Sequence, residues 1–130
     1  DAVLMGTRFM ATKECRGLPA WKEWLVNARE VDTAYIMKSI NNPRRVIKNA
    51  VMAKVMEMEA KGATLEELIP IIAGQGGAVF DDGEVDSQLA SAGQVVGLIH
   101  DVPTVKELVD GIVEEALQVR ERLNAAIASA

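Results

Sequence analysis

The apolar run at residues 2–5, Ala-Val-Leu-Met before Gly6, most limits what this chain can fold into. Such a run is typical of a strand buried on both faces, as in a parallel sheet covered by helices. No second run of this quality follows, and residues 33–36 offer only a short extended piece. One strand cannot form a sheet, so we expect its neighbours to come from a preceding part of the protein or from another copy.

Most of the remaining chain has the spacing of amphipathic helices. Proline at a first helical turn predicts a short helix over Pro19–Asn27. A longer helix is predicted over residues 42–61, with Asn42 as its N-cap and proline next, because this pair favours a helix start. A further helix is predicted over residues 87–99. We therefore expect a mainly α chain with one or two short β-strands.

Two capping boxes mark the starts of two more helices. The pattern Thr-x-x-Glu begins at Thr64 and again at Thr104, and it satisfies two backbone N–H groups reciprocally. Pro70 shortens or kinks the first of these helices, since proline lacks an N–H donor. The second carries apolar residues at i, i+3, i+4 and i+7 from Val105 to Leu117, which makes it the clearest helix of the chain.

Composition excludes several classes of protein. The net charge of −5 argues against a nucleic-acid partner, because phosphate backbones attract basic surfaces. Cys15 is the only cysteine and His100 the only histidine, so an internal disulfide and a Cys/His zinc site are both disfavoured. No apolar run approaches the roughly 20 residues of a membrane span, and no signal-peptide pattern is present. A cytoplasmic protein with no membrane partner is the expectation.

The clearest chemical signal is the turn Gly6-Thr7-Arg8 at the end of the predicted strand. Ligands gather at the carboxyl ends of strands in parallel α/β folds. Glycine lets the backbone approach a phosphate closely, and free N–H groups with a threonine hydroxyl can bind its oxygens. The alternative is an ordinary turn from strand to loop.

A second candidate site lies in the predicted helix over residues 87–99. Gly93, Gln94 and Gly97 allow close approach of a flat ligand or of another backbone. Tight helix packing is the alternative interpretation. Gln75, which lies between glycines in a predicted flexible break over residues 73–77, has the same ambiguity.

Three further groups of residues are weaker candidates for a catalytic, reactive or metal-binding role. His100 precedes Asp101, so it is either a general base oriented by a carboxylate or a solvent-facing side chain. Cys15 lies near two basic residues and is either a reactive or an incidental thiol. The acidic residues of 81–86 lack the alternating ligands of a calcium loop and predict a solvated turn.

Four segments in this order resemble the C-terminal part of the nitronate monooxygenases, also known as 2-nitropropane dioxygenases. They are GTRFMATKE, PAWKEWLVNA, RRVIKN and SAGQVVGLI. The type II enoyl-acyl-carrier-protein reductases are similar and share the same pattern. The resemblance covers nearly the whole chain.

The resemblance implies the C-terminal portion of an FMN-binding (β/α)8 TIM barrel with a helical extension. Residues 1–17 match its last strand and phosphate turn, and residues 18–130 match a helical region. The residues that match the family's FMN contacts are the phosphate turn Met5, Gly6 and Thr7 and the GQ-x-x-G residues Gly93, Gln94 and Gly97.

The resemblance also implies what this chain lacks. A barrel of this type needs about 250 residues, and the family's catalytic histidine lies upstream of the GTRF turn, at a position that His100 does not match. We expect the parent protein to be an FMN-dependent oxidoreductase acting on a small nitronate or enoyl substrate, with this chain inactive alone. Such a piece is expected to form a homo-oligomer or to pair with a missing N-terminal half.

A different class of function also fits the helical patterns. A helical assembly module without a cofactor would account for the low aromatic content and the amphipathic helix after Thr104. The turn at Gly6-Thr7-Arg8 discriminates between the two classes, because an assembly module has no need of it.

Overall fold

The computed structural model describes residues 2–73 and 84–129. This part of the chain is mostly helical with a two-stranded antiparallel sheet. The helices are α1 (Thr7–Met10), α2 (Pro19–Asn27), α3 (Ala50–Ala60), α4 (Leu65–Ile72) and α5 (Val105–Ala128). The strands are β1 (Thr33–Ile36) and β2 (Arg44–Ile47), and single 3-10 turns occupy Glu30–Asp32, Val85–Ser87 and Gln94–Leu98.

Helix α2 confirms the prediction over Pro19–Asn27 and builds one side of the first apolar cluster. Trp21 and Leu25 are buried one helical turn apart, and the Trp24 ring stacks on that of Trp21 with centroids 5.3 Å apart. The cluster is completed by small and branched residues from other parts of the chain, namely Ala11, Ile47, Ala90, Ala92, Val96 and Ile99.

Strand β1 confirms the extended piece at residues 33–36, but the helix predicted to begin at Asn42 is wrong. Its first part is β2, which pairs with β1 in the register Thr33↔Ile47 and Tyr35↔Arg45. Val46 belongs to the second apolar cluster and Ile47 to the first. A strand points consecutive side chains to opposite faces, so only the extended conformation buries both residues on separate sides.

Helix α3 starts later than predicted and ends where predicted. Its N-cap is Asn49, whose side-chain oxygen accepts from the Met52 N–H at 2.9 Å. The Asn49 amide also donates to the Val85 and Gln88 carbonyls, at 2.9 and 2.5 Å. Gly62 follows the helix with φ +83°, the left-handed conformation that favours glycine at this position.

The helix predicted over residues 87–99 is also wrong. Residues 88–93 run extended beside β2, where the Ile47 N–H donates to the Ala90 carbonyl at 3.0 Å and Val46 bridges to Ser91. The segment contains good helix formers such as Ala90 and Ala92, yet the pairing with β2 prevails, since each buried backbone group needs a partner. Only one 3-10 turn, Gln94–Leu98, remains helical after them.

The second apolar cluster lies between the sheet, α3 and α4. It contains Ile36, Met37, Val46, Met52, Val55, Leu68 and Leu89. The predicted capping box at Thr64 opens α4, and Pro70 lies inside this eight-residue helix. The flexible break predicted over residues 73–77 and the turn over 81–83 lie outside the described residues, apart from Ala73.

The predicted buried strand at residues 2–5 is not formed. Val3 is 82% exposed and Leu4 fully exposed, with no regular structure before Gly6. Within the described ranges the segment has no neighbouring strand, so its N–H and C=O groups find no ladder partners. An apolar run alone cannot hold a strand in place.

The capping box at Thr104 opens α5 as predicted, but most of its apolar stripe remains uncovered. Leu108 is buried, whereas Val113 and Leu123 are 54% and 58% exposed. The helix therefore packs through its first turns and presents an apolar face beyond them. Among the described helices, none combines the length and apolar character that a membrane crossing requires.

The Glu59 carboxylate on α3 holds the turn between β1 and β2. It accepts the Met37 N–H at 2.7 Å, the Ser39 N–H at 3.1 Å and the Ser39 hydroxyl at 2.7 Å. Met37 and Asn41 have φ of 60° and 55°, which costs a non-glycine residue roughly 1–2 kcal/mol. Burial opposes the charge of Glu59, but the hydrogen bonds from Ser39 and Met37 outweigh it and hold its pKa below the ordinary value.

Replacing Glu59 with Gln is expected to lower the free energy of unfolding by about 1–3 kcal/mol at neutral pH, because charge-assisted hydrogen bonds are lost. A carboxyl with a depressed folded-state pKa stabilises the fold above its unfolded pKa of 4.5. This stabilisation is lost as the pH falls through the folded-state pKa. Urea unfolding at several pH values should show the wild type and variant converging in acid.

Glu57→Gln is the matched control for that measurement. Glu57 lies on the same helix, but its exposed carboxylate contacts, among the described residues, only Lys61 one turn away, at 2.6 Å. Exposed pairs of this kind contribute little to stability. An equal loss in both variants, or a Glu59→Gln difference that persists in acid, would contradict the role of Glu59.

Candidate functional site

The two candidate segments predicted from the sequence meet in the structure. The hydroxyl oxygen of Thr7 accepts a hydrogen bond from the Gly93 N–H at 3.0 Å, across 86 residues of sequence. A Cβ atom at Gly93 would lie 3.6 Å from the same oxygen. The short side chain of Thr7 and the bare backbone of Gly93 thus form adjoining walls of one site.

The Gly6–Thr7 turn presents unused backbone donors. The Gly6 carbonyl accepts from Phe9 and Met10 at 3.0 and 3.3 Å and so closes the single turn α1. The N–H groups of Gly6, Thr7 and Arg8 have no acceptor within the described ranges. A Cβ at Gly6 would meet no atom of the described residues within 4 Å, so the described structure leaves the space beside this turn open.

A cleft of about 360 Å³ lies against the turn and opens to solvent. Its walls come from α1, from β2 and from the extended segment that runs beside β2. The lining residues are Gly6, Thr7, Met10, Arg45, Ser91, Ala92 and Gly93. Three of the six residues predicted to contact a cofactor therefore line a single cavity.

The other three predicted residues lie outside this cleft. Met5 lines a neighbouring groove of about 830 Å³ beside α5. Gln94 begins the 3-10 turn after Gly93, and it is exposed. Gly97 packs against Glu30, where an added Cβ would come within 2.8 Å of the Glu30 backbone nitrogen and of its carboxylate. The structure thus explains Gly97 by close packing of two chain segments.

Arg8 ties the turn to the segment before α5. Its guanidinium contacts the Asp101 carboxylate at 2.5 Å and the Asp101 carbonyl at 3.2 Å. His100 lines the groove beside α5 next to this pair. Because the Asp101 carboxylate binds Arg8, the structure gives no support to a general base formed by His100 and Asp101. Cys15 is half-buried and carries a free thiol.

Sequence reasoning missed Arg45 as a cleft residue. The helix predicted over residues 42–61 contains the segment RRVIKN, and in a helix Arg45 has no fixed relation to residues of β1. As a strand it places Arg45 directly opposite Tyr35. The adjacent β-branched residues Val46 and Ile47 are the signal that could have identified the strand.

Comparison with known proteins places this chain in a family of oxidoreductases. The sequence model of the nitronate monooxygenase family matches residues 1–115. The chain therefore belongs to the nitronate monooxygenase family.

Solved structures give the same relationship. FabK from Thermotoga maritima superposes on 93% of this chain with a TM-score of 0.81 and 28% sequence identity. A single-residue variant of the same protein gives a TM-score of 0.77 and 26% identity, again over 93% of the chain. The chain spans only 38% and 36% of those two structures.

A curated relative is similar over a shorter stretch. It is (3aS,4S,5R,7aS)-5-hydroxy-7a-methyl-1-oxo-octahydro-1H-indene-4-carboxyl-CoA dehydrogenase of Rhodococcus jostii (strain RHA1). The two are 43% identical over 44 residues, which is 34% of this chain and 12% of that enzyme.

Replacing Gly97 with Ala is expected to lower the free energy of unfolding by about 1–3 kcal/mol, because the new methyl group overpacks the contact with Glu30. Gly111→Ala is the matched control. Gly111 lies in α5, and no described atom lies within 4 Å of an added Cβ, so alanine there should stabilise the helix. Chemical denaturation of both variants checks the pair, and a neutral Gly97→Ala would refute the packing role.

Proposed function

We propose that this chain forms the phosphate-binding part of an FMN-dependent oxidoreductase. The observation that carries the proposal is the meeting of the Gly6–Thr7 turn with Gly93 at one open cleft. Membership of the nitronate monooxygenase family supports a flavin as the ligand. An assembly module has no requirement for this arrangement, so the geometry favours a cofactor site over the helical assembly alternative.

Each group at the turn has a definite role in this proposal. The N–H groups of Gly6, Thr7 and Arg8 donate to phosphate oxygens, since they are free within the described ranges. The Thr7 oxygen accepts from Gly93, which leaves the hydroxyl hydrogen to donate to the same phosphate. A single helical turn has almost no macrodipole, so these individual donors provide the binding.

The bound flavin supplies electron transfer to and from the substrate, and this chain positions it. The family's catalytic histidine has no match here, because His100 lies after the turn and beside the Arg8–Asp101 pair. The chain spans little more than a third of FabK. We therefore assign catalysis to the complete protein and cofactor anchoring to this chain.

The wider fold proposed for the complete protein is a (β/α)8 barrel. Similarity to FabK supports this architecture. In a barrel, residues 2–5 would pair with neighbouring strands and the uncovered stripe of α5 would pack on the outside. Either the rest of the barrel or a second copy of the chain would then cover the apolar surfaces that are exposed here.

Nitronate oxidation is the reaction we propose first, because the family model that matches the chain carries that activity in its name. Enoyl reduction is the second candidate, since FabK is a type II enoyl-acyl-carrier-protein reductase of this family. The Rhodococcus relative is named as a carboxyl-CoA dehydrogenase, so its name indicates a CoA thioester substrate for that enzyme. Substrate consumption by the complete protein, measured separately with an alkyl nitronate and an enoyl thioester, distinguishes the reactions.

Replacing Thr7 with Val is expected to weaken FMN affinity about tenfold or more, because a hydrogen bond to a charged phosphate and the acceptor for Gly93 are both removed. Titration of the complete apoprotein with FMN, followed by flavin fluorescence, measures the change. Unchanged affinity would remove Thr7 from the site.

Thr12→Val is the matched control for that titration. Thr12 is buried in the same segment, where its hydroxyl donates to the Phe9 carbonyl at 2.8 Å, and it does not line the cleft. Its replacement should lower stability without changing FMN affinity. Equal weakening by both substitutions would indicate a general disturbance of the segment rather than a phosphate contact.

A further inference from the structure

Arg45 lies on the wall of the cleft and is held in place by two residues of β1. Its guanidinium carbon lies 4.2 Å from the centre of the Tyr35 ring. Its Nη1 donates to the Thr33 hydroxyl at 3.0 Å and to the Thr33 carbonyl at 3.5 Å. Stacking on one side and hydrogen bonding on another fix the direction of the planar group.

No acidic side chain among the described residues balances the charge of Arg45. Residues 33–48 contain no Asp or Glu, although the whole chain has a net charge of −5. In the described ranges no carboxylate pairs with Arg45. Glu59 reaches the same turn, but its oxygens bind Met37 and Ser39. A half-buried guanidinium without an anion has lost hydration that an anionic ligand would replace.

The guanidinium also retains free hydrogen-bond donors. Of the three guanidinium nitrogens of Arg45, only Nη1 has acceptors among the described residues, and both acceptors belong to Thr33. Arginine carries five N–H donors, so Nε and Nη2 remain available to an incoming anion. Arg45 lines the same cleft as Gly6 and Thr7, whose N–H groups also have no acceptor in the part of the chain that the structure describes.

Building on the function proposed above, we propose that Arg45 is a second anchor of the cofactor phosphate and sets the preference for phosphorylated flavin over riboflavin. The backbone donors of the turn approach the phosphate from one wall, and the guanidinium approaches it from β2. Thr33 and Tyr35 are positioning residues, because they orient the guanidinium and do not line the cleft.

The test compares FMN with riboflavin, which lacks the phosphate, as ligands of the complete apoprotein. In the wild type FMN should bind more tightly than riboflavin. Arg45→Met should weaken FMN binding about tenfold or more and leave riboflavin binding unchanged, since only the phosphate contact is lost. The dependence of FMN affinity on salt should also become shallower.

Arg44→Met is the matched control, because Arg44 is exposed and alternates with Arg45 to the other face of β2. It should leave the ratio of FMN to riboflavin affinity unchanged. An equal fall in the ratio of FMN affinity to riboflavin affinity in both variants would indicate a general charge effect and would overturn the assignment to Arg45.

The outcomes separate this proposal from the one on which it rests. A wild-type apoprotein that binds neither flavin would refute the cofactor site itself. Tight FMN binding by the wild type with an unchanged ratio in Arg45→Met would overturn the role of Arg45 alone. If Arg45→Met fails to fold, Arg45→Gln retains a donor for Thr33 without the charge, and the same ratio decides.

Discussion

The alternation of Val46 and Ile47 along β2 is the constraint on which the rest of this structure depends. The two side chains enter different apolar clusters, so β2 forms the boundary between them. Its free edge then fixes residues 88–93, because the Ala92 N–H donates to the Arg45 carbonyl. That pairing delivers Gly93 to Thr7. The cleft is therefore a consequence of how the core is divided.

Elements governed by local chemistry could be predicted from the sequence. Capping boxes at Thr64 and Thr104 define helix starts through residues only three positions apart, and both were identified correctly. The helices predicted over β2 and over residues 88–93 are wrong because pairing partners far away in the sequence decide the conformation of both segments. The strand predicted over residues 2–5 does not form, because an apolar run becomes a strand only when neighbouring strands pair with it.

In the candidate site, too, the sequence predicts the features that depend on local residues and misses those that depend on long-range contacts. Two separate glycine-containing motifs pointed to Gly6, Thr7 and Gly93, and the fold brings these three together. Gly97 looks equivalent to Gly93 in the sequence, yet its bare backbone accommodates Glu30. Arg45 could not be placed without the strand register. The sequence shows which glycines allow another group to approach the backbone closely. Only the tertiary structure shows whether that group is a ligand or another segment of the chain.

The Thr7–Gly93 contact closes a loop that contains most of the molecule. Joining points so distant in sequence has an entropic cost that grows with the logarithm of loop length. A single hydrogen bond offsets little of that cost, whereas a ligand bound to both sides would act as a removable, non-covalent cross-link. Cofactor occupancy and conformational order would then be thermodynamically linked, and the cofactor-free protein would be the state most exposed to proteolysis.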